Sequence, residues 1–438
     1  MSSNAVIESG SDKDVKDVKD VTEQSIEQSK PVSRFTRWYR SPLFNVIIVG
    51  LISFTQPGIW NSLNNTGAGG QQEPYLVNGA SSLTFGIVVF GCSIFSILAN
   101  KIGLKWVLVI GTLGYAPYSA ALYTNNRYGV EWFVLLGGAT CGIGASALWA
   151  SEGAIALGYG DVKDPGIWLG LRELGQLIGS SVQLSLNVES GKRGRVGCTT
   201  YLVLIALQCL GLPLALLISP PNKAIRPDGS KLPHTQTNKS IEDTYLGIYL
   251  VNYFSVRARA LASLTSGIAA TGANIFWGWF FDLKYFSRPQ LARITWVFLA
   301  VTMTALFGWQ FAMELEYRNA NPAVTLDWDL PGFGRGFAVQ VLLRFMNESH
   351  YMFAYWIIGT FFEDVETLTL AVRLVRSFES LGSCLAFGVG AAKVPSLTNL
   401  IVAFVMFCIS LPSTSFAVFL VPERPANYVL DKDNESEE

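Results

Sequence analysis

Charged side chains stand in the middle of two long apolar stretches of this chain. Residues 132–159 contain Glu152, and residues 166–188 contain Arg172 and Glu173. Each stretch is long enough to cross a bilayer as a helix, which requires about 20 mostly apolar residues. A charge at that depth costs at least ~2.5–3.5 kcal/mol, so it is expected to face protein and to have a partner. We therefore predict that these charges lie inside a helix bundle.

The spacing predicts that Glu152 and Arg172 lie at the same depth. A short polar turn, residues 160–165, joins the two stretches, and the two side chains are at similar distances from it along the chain. At a rise of about 1.5 Å per residue, both lie roughly 10–12 Å from the turn. We predict that they form an ion pair. Such a pair either belongs to a network that binds a polar solute or a proton, or only locks two helices together.

Other polar side chains recur inside apolar stretches and extend this prediction. Arg344 and Glu348 are four residues apart within 336–361, so a helix places them on one face, where they can pair. The same two interpretations apply to this pair. The candidate residues for a polar pathway through the bundle are Gln56, Asn61, Asn64, Glu152, Arg172, Glu173, Gln176, Arg344, Glu348 and Glu379.

The composition is that of a polytopic membrane protein. Charged residues make up 15% of the 438 residues and hydrophobic residues 50%, whereas soluble domains carry about 25% charged residues. The net charge of −1 argues against a nucleic-acid partner. We predict an all-α protein with about 11 spans, near residues 43–63, 75–99, 106–123, 132–159, 166–188, 198–218, 257–281, 291–313, 336–361, 369–392 and 397–420.

The residue chemistry that catalysis or cofactor binding needs is not visible in this sequence. The 6 cysteines lie in or beside apolar stretches without metal-ligand spacing, and the chain has only 2 histidines. We find no catalytic triad and no phosphate-binding glycine loop. We predict no enzymatic activity, no metal and no cofactor, and a lipid bilayer as the protein's surroundings.

Polar segments divide the chain into two halves of similar length. Residues 1–40 are predicted to form a disordered cytosolic tail and residues 422–438 an acidic cytosolic tail. A polar linker, residues 220–243, separates an N-terminal half of six spans, residues 41–219, from a C-terminal half, residues 244–421. The sequence favours neither the plasma membrane nor an endomembrane.

The distribution of Lys and Arg predicts a cytosolic N-terminus, because cytosolic loops carry an excess of these residues. The excess falls on one side of the bilayer only if the chain crosses once more between residues 221 and 257. The apolar stretch available there, Thr244–Phe254, is too short to cross about 30 Å as a helix. The charge pattern therefore requires a twelfth crossing for which residues are lacking.

A short pattern occurs twice, each time at the end of a predicted span. Residues 96–105 read Ser-Ile-Leu-Ala-Asn-Lys-Ile-Gly-Leu-Lys, and residues 278–284 read Gly-Trp-Phe-Phe-Asp-Leu-Lys. Both resemble the Gly-x-x-x-Asp-(Arg/Lys)-x-Gly-x-(Arg/Lys) loop of the major facilitator superfamily, in which two parallel six-helix halves surround a central site. The first copy departs from this loop, with Ser and Asn at the Gly and Asp positions. The gating-loop candidates that the resemblance implies are Asn100, Lys101, Gly103, Lys105 and Asp282.

Longer stretches narrow the resemblance. Residues 56–65, 249–261 and 347–356 resemble fungal Unc-ninety-three-like (UNC93-like) proteins of this superfamily. The resemblance implies a major facilitator fold with twelve spans. This chain passes directly from the linker to residues 244–255, where relatives have a seventh span. We expect only a short remnant there, from an incomplete gene model, a splice form or a deletion.

Two functions follow from the resemblance. The first is secondary transport of a small solute, with protons as a candidate coupling ion, by alternating access of the two halves. The second is a non-transporting role, as a regulatory or trafficking partner of a client membrane protein or as a non-functional truncated paralogue. The degenerate first loop and the short seventh segment favour the second function.

Overall fold

The computed structural model describes residues 38–71, 73–159, 164–219, 241–281, 285–320, 323–361 and 365–423. Most of the predicted tails, most of the linker, Asp282 and the side chain of Asn100 lie outside this description. Within it the chain is helical and contains no β-strand, only an isolated bridge between Phe254 and Leu326.

Two sets of helices correspond to the predicted halves. The first set is α1 (Pro42–Ser53), α2 (Ile59–Asn65), α3 (Pro74–Ile102), α4 (Leu104–Thr112), α5 (Tyr115–Tyr128), α6 (Trp132–Tyr159), α7 (Asp164–Asn187), α8 (Cys198–Cys209) and α9 (Gly211–Leu216). The second set is α10 (Ile241–Tyr253), α11 (Val256–Phe281), α12 (Arg288–Arg318), α13 (Phe333–Phe361), α14 (Val365–Ala391) and α15 (Ser396–Phe419).

The first span is built from α1 and α2 with a π-helical turn, Phe54–Gly58, between them. It begins at Ser41, whose hydroxyl accepts a hydrogen bond from the Phe44 amide. Pro57 lies inside the turn. Proline has no N–H and cannot continue the i→i−4 ladder, so the helix widens locally at this residue.

Glycines allow α7 to pack directly on this π-helical turn. A Cβ atom on Gly58 would lie 2.8 Å from the Arg172 carbonyl oxygen, and one on Gly175 would collide with the backbone of Phe54. Small residues at such a crossing let two backbones approach closely. The packing fixes the position of Arg172 relative to the first span.

The halves meet along two seams. The helix α3 packs against α14, where the Ser82 hydroxyl donates to the Cys384 carbonyl oxygen at 2.7 Å. The rings of Phe85 and Phe387 stack in the same seam, with centroids 5.6 Å apart. In the second seam α7 and α2 pack against α11.

Residues 219 and 253, on either side of a stretch that the structure does not describe (220–240), lie at opposite ends of the bundle. The Ser219 amide donates to Asn45 at the end of the bundle where α1 begins, which we call the proximal end. The opposite, distal end holds the connections 66–71, 188–197 and 323–332. There the Ser255 amide donates to the Leu326 carbonyl oxygen and the Val256 amide to the Lys192 carbonyl oxygen. The chain therefore changes ends where the charge pattern requires it.

The described helix of this crossing, α10, has 13 residues, which gives a length of about 20 Å. That is shorter than the ~30 Å hydrocarbon core. All of the apolar stretch Thr244–Phe254 except Phe254 thus lies in this helix, and that it takes the place of a seventh span stays a prediction. Whether relatives carry a longer helix here stays a prediction.

Six helical segments of the described residues are long and apolar enough to cross a membrane: Leu43–Asn65, Pro74–Ala99, Trp132–Glu152, Cys198–Leu216, Arg288–Arg318 and Ser396–Phe419. The prediction of 11 spans is therefore not confirmed. The remaining predicted spans do form helices, but α7, α11, α13 and α14 carry many of the polar side chains. The predicted span 106–123 is divided between α4 and α5.

Candidate functional site

A cavity of about 70 Å³ lies between the two halves. Its walls come from α2, α3, α5, α6 and α7 of the first half. The second half contributes α10, α11, α13 and α14. Four of the predicted pathway residues line it: Asn61 and Asn64 on α2, Arg172 on α7, and Arg344 on α13 of the other half.

The cavity wall carries several buried polar atoms without a hydrogen-bond partner among the described residues. Leaving such an atom unpaired costs about 1–3 kcal/mol, so water or a ligand is expected to complete these bonds. Most of the atoms are donors. They are Trp60 Nε1, Asn65 Nδ2, Asn78 Nδ2, the Tyr115 hydroxyl and Arg172 Nε, with Gln340 Oε1 as an acceptor.

Both charged side chains on the described wall are basic. Arg172 reaches the cavity from α7 and Arg344 from α13, and no carboxylate is among the described lining residues. Arg344 also pairs with Glu348, with Nη2 3.9 Å from Oε1 and both side chains buried, which confirms the pairing predicted from their spacing. The wall therefore favours a ligand with hydrogen-bond acceptors.

The ion pair predicted between Glu152 and Arg172 is not among the ion pairs found in the described residues, and it stays a prediction. Glu152 is 2% exposed and accepts a hydrogen bond from the Ser53 hydroxyl of α1.

Other predicted pathway residues lie outside the cavity wall. The Gln56 amide donates to the Gln208 carbonyl oxygen at 2.7 Å, which ties the first span to α8. Gln176 is buried beside Gly267 of α11, and its side chain has no hydrogen-bond partner among the residues described. Glu379 accepts a hydrogen bond from Tyr351 at 2.6 Å.

Glu173 and Glu348 are not cavity-lining residues in this description either. Glu348 instead forms the ion pair with Arg344. One carboxylate oxygen of Glu173, Oε2, is buried without a hydrogen-bond partner among the residues described. The structure thus separates residues that face the cavity from those that support its walls.

The first gating-loop candidate segment forms the sharp connection between α3 and α4. Gly103 has φ of +89°, a conformation that favours glycine. Lys101 is exposed, and Lys105 Nζ donates to the Leu216 carbonyl oxygen at 2.8 Å. Partial burial lowers the pKa of Lys105. Asp282, the acidic residue of the second copy, lies outside the described residues.

A buried arginine joins the halves at the distal end. Arg259 on α11 is 1% exposed, and its guanidinium donates to main-chain oxygens of the first half. The acceptors are Thr66 (2.8 Å), Gly67 (2.8 Å), Gln71 (3.0 Å) and Gly194 (2.9 Å). These hydrogen bonds tie the second half to two connections of the first half at the distal end.

Sequence reasoning missed several of these residues. Asn78 and Tyr115 are single polar groups in apolar helices. In the sequence, Trp60 cannot be distinguished from the aromatic residues that anchor helices. A signal existed for Gln340, which lies four residues before Arg344 and so shares its helix face. No local pattern marks Arg259, because all its acceptors are distant main-chain oxygens.

Comparison with known proteins shows related sequences along most of the chain. It is 30% identical over 416 residues to the notoamide biosynthesis cluster protein O' of Aspergillus versicolor, with 88% of each chain covered. It is 28% identical to the UNC93-like protein C922.05c of Schizosaccharomyces pombe, covering 85% of this chain and 81% of that one. It is 24% identical to UNC93-like protein 1 of Arabidopsis thaliana, covering 87% and 91%.

The chain belongs to the UNC93-like proteins. No protein-family model matches it. Among solved structures, this UNC93-like protein is similar in fold to a D-xylose–proton symporter, with a TM-score of 0.61 and 12% identity over 86% of this chain and 97% of that one. The nucleoside transporter NupG gives a TM-score of 0.54 and 14% identity, with 87% and 100% covered. The major facilitator fold implied by the resemblance is thereby confirmed.

Proposed function

We propose that this UNC93-like protein is a secondary transporter that moves a small, acceptor-rich solute through the cavity between its halves. One observation carries the proposal: donors from several helices converge on the cavity without a hydrogen-bond partner among the described residues, and Arg172 and Arg344 supply positive charge from opposite halves. Hydroxylated and weakly acidic solutes present the acceptors that such a wall can bind.

The contact at the distal end supports an alternating-access mechanism. Arg259 belongs to the second half and its acceptors to the first, so the halves cannot separate there without breaking these hydrogen bonds. If the N-terminus is cytosolic, as the charge pattern predicts, this state is closed toward the outside. Opening would then exchange the Arg259 contacts for contacts at the proximal end.

A second candidate is a non-transporting partner of another membrane protein. The observation that favours it is the length of α10, whose 13 described residues give about 20 Å. A shorter helix at this position covers less of the cavity, so the bundle encloses a solute less completely. In that case the protein's partner would be a membrane-protein client.

The test compares metabolites in cells with and without the gene, with variants returned to the deletion strain. A transporter predicts that one solute changes when the gene is deleted, that the natural sequence restores it, and that Arg172→Gln does not. The matched control is Arg335→Gln, because Arg335 lies on the surface, 63% exposed.

Purification of the tagged protein provides the second arm of the test. A client that co-purifies equally with both variants, while no metabolite changes, contradicts transport and supports the partner role.

A further inference from the structure

A depression of about 650 Å³ lies at the distal end of the bundle, apart from the central cavity. Its walls come from the connection 188–197 of the first half and, in the second half, from the start of α11 and the connection 323–332. Three basic residues of the first connection, Lys192, Arg193 and Arg195, line it and are exposed. The depression is thus a charged surface to which both halves contribute.

Arg257 of α11 compensates two of the carboxylates in this depression. Its Nε donates to Asp327 Oδ2 at 2.8 Å, and its Nη2 lies 2.7 Å from the same oxygen and 2.6 Å from Asp329 Oδ2. The Ser255 hydroxyl also donates to Asp327, at 2.9 Å. The guanidinium carbon of Arg257 lies 4.6 Å from the centroid of the Trp328 ring, which adds a cation–π contact. The acidic wall of the second half is therefore largely neutralised within that half.

The basic residues of the first half are left in excess. No ion pair found among the described residues includes Lys192, Arg193 or Arg195. The Arg195 Nη1 donates to the Asn126 carbonyl oxygen at 2.9 Å, which positions the side chain without neutralising its charge. The other carboxylate of the described lining is that of Glu189. Three cations and one carboxylate remain, so the potential in the depression is positive.

The location of these cations runs against the charge distribution of the rest of the chain. Lys and Arg residues are in excess in the connections at the proximal end, the end that is predicted to be cytosolic. A short basic segment at the distal end works against that distribution. The orientation of the chain in the bilayer therefore does not account for the segment, and we expect it to bind a ligand.

The second half holds this basic segment in place. The main-chain oxygens of Ser190 and Lys192 accept hydrogen bonds from amides at the start of α11, both at 3.1 Å. The Gly194 carbonyl oxygen accepts one from the Arg259 guanidinium at 2.9 Å. These acceptors alternate along the segment that carries the cations, so separation of the halves would release the segment. The cations are therefore held in this arrangement while the distal end is closed.

We propose that the distal depression binds a phosphate-bearing anion, and that the bound anion stabilises the state in which the distal end is closed. A phosphate group carries a charge of about −1.5 to −2 at pH 7 and three acceptor oxygens, which several cations can bind together. A ligand that binds one state better shifts the equilibrium toward that state. Lipid headgroups and soluble phosphate compounds present this same group. The site does not depend on the transport function.

The first experiment is titration calorimetry of pyrophosphate into the purified full-length protein in phosphatidylcholine nanodiscs. The natural sequence is expected to bind it saturably. The triple variant Lys192→Gln, Arg193→Gln, Arg195→Gln should bind it at least about tenfold more weakly, because charge-assisted hydrogen bonds are lost. The matched control is Arg318→Gln with Arg335→Gln, two exposed cations at the same end outside the depression. Absence of saturable binding, equal affinity in the triple variant, or an equal loss in the control would overturn the site.

A second measurement tests the coupling to the closed state. Arg259 does not line the depression, and Arg259→Lys keeps the positive charge but should release Gly194. It should therefore weaken the binding of pyrophosphate, whereas Arg335→Lys should bind as the natural sequence does. An affinity in Arg259→Lys equal to that of the natural sequence would overturn the coupling.

Nanodiscs that also contain an anionic lipid identify the source of the phosphate group. If a lipid headgroup occupies the depression, phosphatidic acid should raise the apparent Kd for pyrophosphate more than phosphatidylserine does at equal surface charge. An equal effect of the two lipids would assign the site to a soluble phosphate compound.

Discussion

The guanidinium of Arg259 is bound to the main-chain oxygen of Thr66, at 2.8 Å, across the boundary between the two halves. Its other acceptors are also main-chain oxygens, those of Gly67, Gln71 and Gly194. Hydrogen bonds to charged groups contribute about 1.5–3 kcal/mol each. This single side chain is thus positioned to hold the distal end closed.

Replacement of Arg259 should open the distal end. Arg259→Gln and Arg259→Lys should both lengthen the distance between the halves. Lysine keeps the charge but lacks the planar guanidinium that donates to several oxygens at once. Pulsed electron resonance between labels at Tyr128→Cys and Leu330→Cys, exposed distal residues of the two halves, measures this distance.

The control for this prediction is Arg335→Lys, which changes a surface ion pair with Glu316 at the same end of the bundle. Exposed pairs contribute about 0–1 kcal/mol, so the distance distribution should not change. An unchanged distribution in both Arg259 variants would contradict the closing role.

Arg344 and Glu348 should depend on one another for stability. Removing one partner of a buried ion pair typically costs about 3–5 kcal/mol, whereas replacing both with apolar residues is often neutral. We expect Arg344→Gln to lower the Tm in detergent much more than the double variant Arg344→Met, Glu348→Leu. Equal loss in the single and double variants would show that each side chain acts alone.

Close packing of α7 on the first span should make Gly58 intolerant of a methyl group. A Cβ atom there would lie 2.8 Å from the Arg172 carbonyl oxygen, which cannot move away cheaply. Gly58→Ala should destabilise the protein by about 1–3 kcal/mol, as overpacking does. Gly272→Ala on α11 is the matched control, since nothing lies within 4 Å of its Cβ position. A Tm equal to that of Gly272→Ala would refute the tight crossing.

Substitution of two tyrosines should distinguish a role in ligand binding from a role in stability. The Tyr115 hydroxyl lines the cavity without a partner among the described residues, so Tyr115→Phe should leave the Tm unchanged or raise it. The Tyr201 hydroxyl instead donates to the Gly69 carbonyl oxygen at 2.8 Å, and Tyr201→Phe should cost about 1 kcal/mol. A larger loss of Tm in Tyr115→Phe than in Tyr201→Phe would show that the Tyr115 hydroxyl has a structural role.

The sequence predicted much of the helical framework, because apolar runs of span length leave few other structures in a bilayer. It also predicted the pairing of Arg344 with Glu348, since their spacing on one helix fixes their relation. It did not predict that Glu152 accepts a hydrogen bond from Ser53 of α1, because contacts between helices far apart in the chain depend on how the helices pack and not on local spacing.

The same limit explains why the sequence did not mark Glu314 of α12 as a buried carboxylate. Its donors Tyr245, Tyr253 and Ser396 come from two other helices that are far apart in the chain. A single Glu near the end of an apolar helix has the sequence appearance of a surface charge. Only the packed bundle shows that it is buried.

The most direct test of the central claim is binding of the solute that changes in the deletion strain, measured by titration calorimetry on the purified protein. The account predicts a saturable signal for the natural sequence, a loss of affinity in Tyr115→Phe, and a larger loss in Arg172→Gln. Charge-assisted hydrogen bonds are roughly twice as strong as neutral ones, which sets that order. Binding with the same affinity in all three proteins would contradict the claim that this cavity is the solute site.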